Sequence, residues 1–97
     1  MAGEVYLACL PVLEAIDRGE DRLVVRDLAD HARDVVTSDR VVRARLDRVL
    51  PREDADLLSG IGAVDAGDLR AAARLLRSAL PALHQAGNAR ALPGPPA

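Results

Sequence analysis

The chain has no phenylalanine, no tryptophan and no lysine, and only one tyrosine and one cysteine. Each absence removes a class of function. Single-stranded nucleic acids are held by stacking bases on several aromatic side chains, and Tyr6 with two histidines offers too few rings for such a platform. The lone Cys9 excludes an intrachain disulfide and a cysteine-built zinc site. No apolar run is long enough to cross a bilayer, because the longest, Val5 to Leu13, is closed by Glu14. That run also lacks the positive leader of a secretory signal, so a cytoplasmic protein with no membrane association is expected. A phosphate-cradling loop is missing too, since Gly60 and Gly62 have neither a third glycine nor a lysine beside them.

What is present is aliphatic and charged. The 97 residues are 49% hydrophobic, with 13 arginines against 15 Asp and Glu and a net charge of −2. This is room for one small soluble domain whose core is Leu, Val and Ala. Arginine as the sole basic residue, with abundant Ala and Leu, is the composition of a GC-rich bacterial genome. A domain this small buries only about 60–65% of its unfolded surface, which makes self-association a route to added stability.

Apolar residues recur at helical spacing almost throughout, and breakers fall between the repeats. The expected fold is all-α: a small bundle of four to five helices over residues 1–87, with a disordered Pro/Gly-rich C-terminal tail over 88–97. Helix one is expected over about 4–18, stopped by Gly19, with Val5, Cys9, Val12, Leu13 and Ile16 on one side and Pro11 on the wet side. A proline there bends a helix; the rival reading is a short strand Val5–Leu10 and a helix from Pro11. Helix two follows Glu20-Asp21 to about Val36, burying Val24, Val25, Leu28, Ala32, Val35 and Val36. Thr37 or Ser38 is expected to cap helix three, Asp39 to Leu50, with Val42, Leu46, Val49 and Leu50 inward. Pro51 opens a short helix four to about Ser59, broken by Gly60 and Gly62. Asp65 caps helix five, with Asp68 as the capping-box acid, and its seam is Leu69, Ala72, Leu76, Leu80 and Leu83.

No catalytic set emerges, and no enzyme, cofactor or metal is expected. Cys9 lies on an apolar helix side, where desolvation suppresses the thiolate. Ser38, Ser59 and Ser78 have no glycine-framed elbow. Asp27, Asp30, His31 and Asp34 share one face of helix two, a possible divalent-metal face, but Arg26 and Arg33 make it a solvated flank with surface ion pairs. On helix three, Arg40, Arg45, Arg48 and Arg52 spread over a solvent arc that includes Val41. Such a stripe suits phosphates, or an acidic flank like that of helix two in the same chain or in a partner.

The segment Arg26-Asp27-Leu28-Ala29-Asp30-His31-Ala32, followed by Val36-Thr37-Ser38-Asp39-Arg40-Val41-Val42-Arg43-Ala44-Arg45-Leu46-Asp47-Arg48-Val49, resembles the helix-turn-helix of small bacterial transcription regulators. The resemblance implies a DNA-binding pair of helices over about 22–36 and 39–50, with Arg40, Arg43, Arg45 and Arg48 of the Arg-rich second helix meeting phosphates or guanine edges. Gly67-Asp68-Leu69-Arg70-Ala71-Ala72-Ala73-Arg74-Leu75-Leu76 similarly looks like one helix of a tetratricopeptide repeat. A net negative charge opposes unaided DNA affinity. The leading expectation is therefore a non-enzymatic protein–protein interaction module, a regulatory or adaptor protein binding another protein or itself as a homodimer. Leu7, Val41 and Leu75, which lie off the core stripes, are its expected contact residues. DNA binding is the alternative.

Overall fold

The computed structural model describes residues 2–91, with side chains over 3–86. Among these residues the structure is five α-helices and no strand: α1 Ala2–Asp17, α2 Arg22–Thr37, α3 Arg40–Val49, α4 Pro51–Asp65 and α5 Leu69–Ala91. The all-α reading holds. Helix α1 is continuous through Pro11, so the strand alternative fails. Helix α5 runs through the exposed Pro81 and on to Ala91, past the tail start expected at Asn88. The rest of that expected tail, 92–97, lies outside the described residues.

Two helix ends share one device. Gly19 and Gly67 both adopt positive φ, and in each case the glycine N–H and the next N–H fold back onto carbonyls of the last turn, Ile16 and Ala15 after α1, Val64 and Ala63 after α4. This is the Schellman stop, open to glycine because it carries no Cβ. An aspartate then caps the next helix each time. The Asp21 carboxylate accepts from the Leu23 N–H at 2.8 Å and that of Asp68 from the Ala71 N–H at 3.0 Å. Asp68 is thus the cap of α5, correcting the expectation for Asp65, which belongs to the end of α4. At α3 the cap is Asp39, accepting from Val41 and Val42, rather than Thr37 or Ser38. Thr37 is committed elsewhere, its hydroxyl donating to the Arg33 carbonyl.

Helix α4 passes straight through Gly60 and Gly62, against the expected break. At Gly60 the reason is proximity. A Cβ there would lie 3.2 Å from Leu76 Cγ and 3.4 Å from Leu75 Cβ, so the glycine lets α5 come close. Packing favours the coil over the break that an isolated sequence suggests.

Helices α1, α2, α4 and α5 form the bundle: α5 packs on α1 and α4, and α2 bridges α1 to α4. The core is Val5, Cys9 and Val12 of α1, Val25, Ala29, Ala32 and Val36 of α2, Leu57 and Ile61 of α4, and Leu76 and Leu83 of α5. The Tyr6 and His84 rings, 4.7 Å apart, meet at the α1–α5 seam. Two residues of the expected stripes face water instead, Val24 and Val49. At 100° per residue Val24 lies about 80° outside the buried arc of α2, and Val49 falls on the rim of that of α3. The shortest helix, α3, packs on α4 and α2 only at its inner side, through Val42 and Leu46.

Candidate interaction surface

Because only Val42 and Leu46 of α3 are buried, most of the helix is presented outward. At 100° per residue Arg40, Ala44, Arg48, Val41 and Arg45 follow one another around its outer half. Together they line an open depression of about 350 Å³. Val41, at its centre, is 64% exposed. Among the described residues, none of the three guanidiniums here reaches a carboxylate at ion-pairing distance.

The fourth arginine behaves differently. Arg43 turns inward and grips Asp54 through two parallel bonds, Nη1 to Oδ1 at 2.5 Å and Nη2 to Oδ2 at 2.7 Å. Asp54 is 4% exposed, the one buried charged residue among those described. The forked geometry suits a planar guanidinium and a carboxylate, and the hydrogen bond to Asp54 pushes the Arg43 pKa further up. This pair anchors α3 to the first turn of α4. Of the four arginines implied by the helix-turn-helix resemblance, Arg43 is thus the one held by Asp54, while Arg40, Arg45 and Arg48 stand on the outer face. By its place after Pro51 alone, Asp54 reads as a helix-start acid. A signal for its burial was in the spacing: Asp54, Leu57, Ile61 and Val64 form one heptad-like stripe, and an acid on such a stripe needs a cation.

The outer face of α2 is the acidic counterpart. Leu23, Asp27, Asp30 and Asp34 fall within about 60° of arc, and His31 and Val24 border them. All six are exposed. Arg33 takes Asp30 at 3.2 Å and also pairs with Asp65 at the end of α4, while Asp27 and Asp34 make no ion pair among the described residues. Among the described residues no three His, Cys, Asp or Glu side chains are grouped to hold a metal ion.

The remaining expected contact residues are scattered. Leu7 on α1 is 68% exposed, whereas Leu75 on α5 is half-buried against α4 at Gly60. Leu7 is carried by α1 and Leu75 by α5, whereas Val41 stands on α3, whose main packing is on α4 and α2. Cys9 is fully buried, and desolvation pushes its pKa up to about 12, so its thiol stays protonated at neutral pH. Ser78 donates to Asp56 at 3.4 Å, and Ser38 closes α2.

A larger hollow, about 570 Å³, lies between the first turn of α2 and the α4–α5 turn. Three of its polar side chains are used by the fold, Asp21 as the cap of α2, Asp65 in its pair with Arg33 and Arg22 in donating to the Gly67 carbonyl at 3.4 Å, and Arg26 lines it as well. Among the described residues no helix is long and apolar enough to cross a membrane. The chain matches no family model, no curated protein and no solved structure.

Proposed function

We propose that the protein is a non-enzymatic interaction module, a cytoplasmic bacterial regulator or adaptor that engages another protein through the outer face of α3. The observation that carries this reading is the exposed Val41 and Ala44 framed by Arg40, Arg45 and Arg48. An apolar centre with a cationic rim is the anatomy of a protein interface: burying Val41 contributes affinity, and the guanidiniums steer an acidic partner and set its register. The matching ligand is an amphipathic helix carrying acids around a small apolar stripe.

Duplex DNA is the second reading, favoured by the two-residue connection, Ser38 and Asp39, that leads into three outward arginines. Three features argue for protein over DNA. Arg43 is spent on Asp54, an exposed valine sits where phosphates would approach, and the neighbouring face of α2 repels them.

A fluorescent acidic amphipathic peptide and a duplex of mixed sequence, each titrated by anisotropy, separate the two. The peptide is expected to bind, and to lose at least tenfold in affinity with Arg45→Glu. Duplex binding with a log–log salt slope near −2.7, about −0.9 for each of three phosphates, would instead establish the DNA reading.

A further inference from the structure

We infer that the protein assembles with a second copy of itself by seating the acidic outer face of α2 from one copy on the basic outer face of α3 from the other. This inference rests on the reading of α3 as the binding face and names its occupant. The occupant is chosen by charge complementarity. Among the described residues, the exposed carboxylates Asp27 and Asp34 pair with no cation, and the exposed guanidiniums Arg40, Arg45 and Arg48 pair with no carboxylate.

The spacings agree as well as the signs. With a rise of about 1.5 Å per residue, Asp27 to Asp34 spans roughly 10 Å and Arg40 to Arg48 roughly 12 Å. Laid antiparallel, Arg48 meets Asp27 of the second copy, Arg45 meets Asp30, and Val41 with Arg40 meets Asp34. The same register carries the exposed Leu23 and Val24 of the second copy to within a turn of Val49, which is itself exposed. Each arginine of the α3 stripe thus meets an aspartate of the second copy. Nothing comparable happens within one copy, where Arg43 and Asp54 already form the α3–α4 tie and Arg33 serves Asp30 and Asp65.

Sedimentation of the whole chain at low ionic strength, roughly 20 mM, and at roughly 500 mM salt reads the assembly, because screening shortens to a few ångströms at the higher value. At low salt the apparent mass is expected to at least double, and at high salt to fall back towards that of one chain. Two charge reversals, Arg45→Asp with Arg48→Asp and Asp27→Arg with Asp34→Arg, are each expected to give a monomer at low salt, with the helical circular dichroism unchanged. Mixing the two variants is expected to restore a mixed dimer, since one offers an acidic α2 and the other a basic one to complementary α3 faces. A wild-type chain that is monomeric at low salt overturns the inference, and so does an assembly that the reversals leave intact or that mixing does not rebuild. The acidic peptide of the preceding experiment separates the two levels: binding by a strictly monomeric wild type sinks self-assembly and keeps the α3 face, whereas loss of both sinks the reading on which it rests.

Discussion

The α4–α5 contact and the α3–α4 contact are both helix pairings, built from opposite materials. Between α4 and α5 the approach is close and apolar: Gly60 lies against Leu76, with Leu57, Ile61, Leu80 and Leu83 sealed nearby. Between α3 and α4 the apolar part is small, Val42 and Leu46, and the defining feature is one forked ion pair, Arg43 to Asp54. Apolar burial is non-directional and contributes roughly 25 cal/mol per Å² wherever it occurs. A buried ion pair contributes little net free energy because desolvation offsets the attraction, but it is directional and specifies one arrangement. The difference teaches that stability lies in the four-helix bundle, and that what the ion pair supplies is the pose of the helix that carries the proposed binding face.

Five single substitutions and one double variant break or sharpen that contrast. The largest effect is expected from Leu76→Ala, which opens a cavity at the α4–α5 seam and costs about 2–5 kcal/mol. Urea unfolding is expected to show the whole molecule losing stability in one transition. Next is Arg43→Met, which strands the Asp54 carboxylate in a dry site and costs about 3 kcal/mol. The double variant Arg43→Met with Asp54→Leu is expected to return to within about 1 kcal/mol of the starting protein by the same unfolding measurement. If the pair acts on pose, that stable double variant still binds the acidic peptide more weakly.

Gly62→Ala and Gly60→Ala test the close approach itself. A Cβ at Gly62 meets nothing within 4 Å, so the alanine is expected to stabilise α4 by about 0.5–1 kcal/mol through helix propensity. At Gly60 the new methyl presses on Leu76 and Leu75, and thermal melts are expected to show that gain reduced or reversed. The smallest effect belongs to Val41→Ser, which is expected to move stability by less than about 0.5 kcal/mol while weakening the peptide complex. A large loss of stability with Val41→Ser would mean that α3 is part of the core.

Much of this architecture was written in the periodicity. The stripes of α1 and α5, the glycine stop after α1 and the proline start of α4 follow from local rules that the structure obeys. What escaped depended on neighbours distant in sequence. Gly60 reads as a breaker until Leu76 is placed beside it, and Asp54 reads as a solvated helix-start acid until Arg43 reaches it from α3. The cap of α3 escaped for a local reason, because Thr37, Ser38 and Asp39 are all capable caps and only the backbone bond made by the Thr37 hydroxyl decides among them. At the outer face of α3, the positions of Arg40, Val41, Arg45 and Arg48 on one arc were evident from spacing alone. That Arg43 was withdrawn from them was not.

The interior position of Cys9 has a practical side. With the sole native sulfhydryl sealed among aliphatic neighbours and held protonated, maleimides and other alkylating reagents find no target on the folded surface. A cysteine introduced at an exposed α3 position outside the depression, such as Asp47, would be the single labelling handle, so a spin label or fluorophore could watch α3 directly with its arginines in place.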